Sequence, residues 1–346
     1  MFVCSEASIR SLIIHSVGNK LKGDTFILSN STASIGSELE EVLQKFMFSP
    51  FRSNELYNFS NLNNNSVYNS IKQMFGSSNS FTSESKKIAK TLFEKTNNPK
   101  VNGGNLFIAH FKDMIFNDEL VNAIGIFKTE SADTFLKIRS ADDKLLVERD
   151  AGINISKMAK GAIIFNIASQ EENGYLISLL DKRSKNEEIA YWSESFLNVI
   201  PYKDDYYQTK NTMTCVCDFV SHTLPEAYKM DKSETSALLH TSLEYFKEND
   251  EFAWNEFAKE VFVTPQVISE LELHKTKYEK ENDLDIAETF TINVPAVKKE
   301  AKLFRSIIKL DDKFDIIIHK DNENLIRGKD AATGLNFYQL LFKNEE

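Results

Sequence analysis

Lys298, Lys299, Lys302, Arg305 and Lys309 put five cationic side chains into twelve residues that hold one acid, Glu300. Five positive charges against one negative leave a local +4 in a chain whose total is −10. Such a segment could contact consecutive phosphates, each neutralised phosphate contributing through counterion release. The same charges also suit a solvated face beside the acidic run from 279 to 288. Lys182, Arg183 and Lys185 form a second cluster in a predicted loop, just before Glu187 and Glu188, where cations can be presented without losing water. Lys86, Lys87 and Lys90 form a third, on one side of a predicted helix. Backbone contact of this kind carries no base preference.

Covalent and metal chemistry find little support. The sequence has no Gly-rich phosphate loop, His-Glu-x-x-His zinc helix or nucleophile elbow. Its six histidines, at 15, 110, 222, 240, 274 and 319, are scattered without metal-ligand spacing. His110 and His319 lie in strand patterns and read as core or edge residues. Cys4, Cys215 and Cys217 cannot make a disulfide framework or a zinc box, which fits a reducing cytoplasm. Cys215 and Cys217 cannot share one helical face, so one of them belongs to a core. A metal-dependent nuclease would need acids at neighbouring strand ends with a lysine close by, and Asp133, Glu148 and Lys144 make such a set only by free choice among many carboxylates. No cofactor, metal or catalytic residue is therefore expected, and the mechanism is binding, not turnover.

The elements that must position these charges are read from composition and period. The 346 residues are 42% hydrophobic and 27% charged, enough apolar matter for a sizeable core and a soft expectation of two domains. With 41 basic against 51 acidic residues the average surface repels phosphate, so any nucleic-acid site must be a local patch. Glu6 and Arg10 interrupt the short apolar stretches of the N-terminus, and no run approaches the ~18 apolar residues of a membrane span, so neither a signal nor a span is expected.

Residues 1 to 30 read as a hairpin around Gly18-Asn19 and Gly23-Asp24, and Ile35, Leu39, Val42, Leu43 and Phe46 as one face of a helix. Residues 54 to 81, with eight asparagines, read as a variable surface excursion able to hold one short helix through Val67, Tyr68, Ile71 and Phe75. Ser83 to Glu94 resumes helical spacing. Apolar runs at 106–111, 121–127, 135–138 and 145–147 predict a mostly antiparallel sheet, with 162–168 and 175–180 as a further hairpin. Ile189, Trp192, Phe196 and Val199 predict an amphipathic helix before Pro201. Helical stripes continue through Tyr278, including one that opens on Thr264-Pro265. Strand period returns at Phe290, Ile292 and Val294, at 307–308 and 314–318, and from Leu335 to Phe342. No fixed repeat stands out.

Several of these segments carry a resemblance. Gly125-Ile126-Phe127-Lys128, Gly152-Ile153-Asn154, Lys160-Gly161-Ala162 with Phe165-Asn166, Tyr191-Trp192 with Phe196-Leu197, and Lys309-Leu310-Asp311-Asp312-Lys313-Phe314 occur in an order that resembles the bacterial nucleoid-associated protein family typified by NdpA, also called YejK, and is closer to a Bacteroidetes-type branch. The resemblance is clearest over residues 100 to 320. It implies association with the nucleoid and nucleic-acid binding, and brings no catalytic residues. Within these motifs Gly152 and Gly161 read as turns between strands, and Phe165, Trp192 and Phe196 as core.

The expectation is an α+β protein with a mostly antiparallel sheet body and flanking helices at 1–200, a helical lobe at 201–282 and a C-terminal β segment at 283–346. Its partner would be double-stranded DNA, RNA being left open, held by the local basic patches in the cytoplasm at the nucleoid, with no membrane involved. The rival reading is an adaptor whose acidic stretch from Glu244 to Glu260, six acids against two bases, docks a basic DNA-handling partner. Self-association fits both.

Overall fold

The computed structural model describes residues 2–4, 6–130, 132–141, 144–167, 174–181, 191–311, 313–318 and 325–342. The chain forms two compact units, Met1–Tyr202 and Lys203–Glu346. Its architecture is α+β with antiparallel strand pairing.

The first unit is built on one sheet of nine strands. These are β1 (Phe2–Val3), β2 (Ser8–Val17), β3 (Phe26–Ile27), β4 (Leu56–Phe59), β5 (Gly104–Phe116), β6 (Glu119–Lys128) and, after the two strands of an arm, β9 (Lys160–Phe165), β10 (Leu176–Asp181) and β11 (Val199–Pro201). The arm is β7 (Asp133–Ala141) paired with β8 (Lys144–Gly152). The order across the sheet is β11-β4-β10-β9-β6-β5-β2-β3, with β1 beside β5. Both faces of the centre are covered, which is why β5 and β6 read as unbroken apolar runs. Successive side chains point to opposite faces: Leu106, Ile108, Ile124 and Ile126 enter one core, and Phe107, Ala109, Phe111 and Phe127 the other. Helices α2 (Ser66–Gly76) and α3 (Phe81–Lys95) and a π-helical turn, Tyr191–Leu197, cover the first face; α1 (Ser37–Phe48) covers the second through Phe46 and Met47.

Three expectations change here, the first being that Val199, read as part of a helix, opens strand β11 beside β4. The Asn/Ser-rich stretch is not a surface excursion: Phe59, Val67, Tyr68, Ile71 and Met74 are core residues. Asparagine is tolerated inside because its amide is spent on backbone groups. Asn65 caps α2 by accepting from the Val67 and Tyr68 amides, and its Nδ2 donates to the Leu197 carbonyl at 2.9 Å. Gly161 is not a turn but the second residue of β9, paired with Phe127 and Leu180; a Cβ there would stand 2.8 Å from the Phe51 ring. Gly152 closes strand β8.

The second unit contains α4 (Asp205–Asp218), α5 (Leu224–Tyr228), α6 (Lys232–Glu248), α7 (Trp254–Phe262), α8 (Pro265–Asn282) and α9 (Val294–Glu300). Three two-stranded sheets accompany them: β12 (Glu251–Ala253) with β13 (Thr289–Thr291), β14 (Ser306–Leu310) with β15 (Phe314–Ile318), and β16 (Leu325–Lys329) with β17 (Asn336–Leu340). One aromatic-rich core serves the unit, with Phe246, Phe252, Phe257 and Trp254 at its centre and Ile292, Val297 and Phe304 packed into it. Val294, in strand period by sequence, opens α9 instead, because Asn293 caps the helix by accepting from the Ala296 amide and Pro295 suits its first turn. Cys215 is buried, and desolvation pushes its thiol up to about 12, while Cys217 on the same helix is partly exposed.

Candidate nucleic-acid interface

The cationic segment runs along α9, through a 3₁₀ turn at Ala301–Phe304, and into β14. Four of its apolar members, Ala296, Val297, Phe304 and Ile308, are buried, while Val294 and Leu303 stay exposed. That anchoring decides where the charges go. Lys298, Lys299, Lys302, Arg305 and Lys309 are all exposed, whereas Glu300, the only acid among them, is 7% exposed. The local excess is therefore larger on the surface than in the sequence. The segment is tied to the unit by the Asn293 amide, which donates to the buried Thr209 hydroxyl at 2.9 Å, and the last-turn position of Lys298 and Lys299 complements the negative end of the helix dipole.

The five are not equivalent. Lys299 donates to the Tyr206 hydroxyl at 3.0 Å and lies over its ring. Lys309 stands opposite Asp315 in the β14–β15 ladder, so a carboxylate shares its neighbourhood. Among the described residues no carboxylate lies within ion-pair distance of Lys298, Lys302 or Arg305. Lys182, Arg183 and Lys185 lie outside the described residues, as does His319. In the third cluster Lys86 donates to Asn30 Oδ1 at 2.7 Å and Lys87 pairs with Glu84 at 2.7 Å.

The residues offered for a nuclease are not brought together. Asp133 is at the base of the arm, held by Lys157 at 2.9 Å and Asn154 at 2.8 Å, hydrogen bonds that keep its carboxyl below the ordinary range. Glu148 is mid-arm, paired with Arg139, and Lys144 is at the far end opposite Ala141. Among the described residues no group of three His, Cys, Asp or Glu side chains could hold a metal ion, and no helix is long and apolar enough to cross a membrane.

A polar site that sequence reasoning missed lies in the first unit. Lys128 on β6, Lys160 on β9 and Asp181 on β10 are register partners, so three charged side chains form one row across adjacent strands. Both lysines are 1% exposed. Lys160 Nζ reaches Asp181 Oδ1 at 2.7 Å, and Ser193 donates to Asp181 Oδ2 at 3.0 Å. Lys128 Nζ reaches the Asn102 carbonyl at 2.7 Å, the Tyr191 hydroxyl at 3.1 Å and Glu130 at 3.3 Å; Tyr191 in turn donates to Glu130 at 2.9 Å. The Tyr191 ring is 5.4 Å from one ammonium and 5.2 Å from the other. Among the described residues two cations meet two carboxylates, and their contacts pin the π-helical turn to the sheet end. The available signal was a lysine at the edge of each apolar strand run, both inside the motifs that carry the resemblance.

These features define a two-unit α+β protein with a net acidic composition and an outward-facing cationic segment at 298–309. The comparison with known families is direct: the family model described as nucleoid-associated protein YejK matches residues 13–333. The chain belongs to that nucleoid-associated family. No curated protein matches it.

Proposed function

We propose that this protein is a non-catalytic nucleic-acid-binding member of its family, which grips the phosphate backbone of double-stranded DNA with Lys298, Lys302 and Arg305 as the principal contacts and Lys299 and Lys309 beside them. The observation that carries this reading is the outward display of these charges while Glu300 is turned into the core. Backbone contact needs nothing more specific than accessible cations spaced along a surface, and the acidic remainder limits indiscriminate adhesion. Lys182, Arg183 and Lys185 belong to the same proposal as auxiliary contacts, RNA is an alternative polyanion for the same cations, and the place of action is the nucleoid in the cytoplasm.

The test is retention of the full chain on plain duplex DNA across a salt series. Affinity should fall by about 0.9 log unit per phosphate contact per log unit of salt. Lys298→Ala, Lys302→Ala and Arg305→Ala together should lower that slope by roughly 2 to 3 and weaken binding to the same degree on unrelated sequences. An unchanged slope would overturn the assignment of this segment.

One observation favours a second reading. Glu248, Asp250, Glu251, Glu256 and Glu260 are all exposed on the stretch from the end of α6 through β12 to α7. In that reading the acidic stretch docks a basic DNA-handling protein, and the isolated chain shows no retention on DNA at any salt concentration.

A further inference from the structure

The β7–β8 arm has one face richer in large apolar side chains, and those side chains are exposed. Thr134, Leu136, Ile138 and Ser140 share one face with Leu145, Val147, Arg149 and Ala151; the other face carries Lys137, Arg139, Lys144, Glu148 and Asp150 together with Phe135 and Leu146, which are 46% and 40% exposed. The charged face has reason to meet water, and Arg139 pairs there with Glu148. The apolar face does not: Leu136 is 72% exposed, Ile138 66%, Leu145 75% and Val147 65%. The base of the arm is clamped by Asp133 to Lys157 and Asn154. A two-stranded hairpin standing alone is marginal in water, and a face that gathers Leu136, Ile138, Leu145 and Val147 at 65–75% exposure is written to be covered.

We infer that the arm's apolar face is the interface of a homodimer, in which Leu136, Ile138, Leu145 and Val147 of one copy pack on the same four residues of a second copy about a twofold axis. Area supports a second copy of this chain. Four such side chains offer on the order of 100 Å² each, roughly 400 Å² per copy, and with the flanking residues about 1,000 Å² for the pair, where specific interfaces begin. Charge supports it as well. Among the residues of this face Arg149 is the only charged one, two positions from Val147 toward the base, and an antiparallel apposition centred on the Ile138–Val147 pair lays it over the outer half of the second arm instead of against the other Arg149. Identical faces without a central charge are self-complementary, which is what a closed twofold contact requires. The inference does not depend on nucleic-acid binding.

Light scattering behind size exclusion at about 10 μM should give twice the chain mass of 39.5 kDa. Ile138→Lys alone and Ile138→Glu alone should each give the single-chain mass, because like charges meet at the axis. An equimolar mixture of the two should return to the double mass. That recovery excludes misfolding as the cause of dissociation. Lys137→Glu, on the opposite face, should leave the dimer intact. A wild-type chain that runs at the single mass, or a dimer that survives both Ile138 variants, would overturn the inference. The DNA retention slope, measured separately on the Ile138 variants, reports on the cationic segment and leaves the two proposals distinguishable.

Discussion

Replacing Asp181 with alanine probes the buried row most sharply. Lys160 and Asp181 face each other across β9 and β10 at 2.7 Å, with side chains 1% and 9% exposed. The substitution removes this partner and the acceptor of Ser193 while the ammonium stays where water has little access. Breaking a buried pair in this way costs about 3–5 kcal/mol. For a unit of this size each kcal/mol lowers the melting temperature by roughly 2–4 °C, so a loss on the order of 6–20 °C is expected. Lys160→Met, which removes the charge but keeps the length, should cost less, because a carboxylate at a sheet end recovers water more readily than a lysine under a tyrosine ring. The two tryptophans make the assay specific, since Trp192 lies in the first unit and Trp254 in the second. In a Trp254→Phe background Trp192 alone reports, and its indole N–H donates to the Gly161 carbonyl, next to Lys160. Urea and thermal unfolding followed by Trp192 fluorescence give the loss. A value under about 1 kcal/mol, the range of an exposed pair such as Arg139–Glu148, would refute the claim that the row is desolvated and structural.

Two further outcomes follow from the first unit. His15 and His110 are buried, and desolvation, aided by Lys86 for His15 and by Arg10 and Lys112 for His110, pushes both imidazoles down to about 4. The Ser29 amide donates to His15 Nδ1, so Nε2 carries the proton toward Ser85 and a second proton has no acceptor. The unfolded chain takes up protons at both sites near pH 6.5, so stability is full above that pH and declines as pH falls toward 4. His110→Phe, which keeps a ring against Phe75 and Phe81, should flatten this acid limb in Trp192-detected unfolding; an unchanged limb would refute the assignment. Gly125→Ala should cost about 1–3 kcal/mol or more in urea unfolding, since its Cβ would stand 2.4 Å from the Phe127 ring and 2.7 Å from that of Phe111. Wild-type stability would show that these rings move aside freely.

Much of the fold was legible because its causes are local. The apolar runs of β5, β6, β9 and β10, the Thr264-Pro265 start of α8 and the cationic excess from 298 to 309 depend on period, capping and counting, all of which lie within a few residues of one another. Exposure of that cationic segment could not be read the same way. The spacing of these charges suits a helix or a strand equally, and the direction of Glu300 depends on the core that takes Val297 and Phe304. Asn65 shows the limit from the other side: by composition it marks a turn, and its partner Leu197 is 132 residues away.

What the sequence determined by itself is therefore the type of the long periodic elements, the net acidity and the place of the positive charges along the chain, because propensity and charge belong to residues and their near neighbours. The tertiary structure alone decided that Lys128, Lys160 and Asp181 share a buried row, and that Leu136, Ile138, Leu145 and Val147 of the β7–β8 arm stay exposed. Strand register and the presence or absence of a layer above a sheet are relations between distant segments. A hydrophobic alternation states that a face is meant to be covered; only the assembled fold shows what, within one chain, covers it.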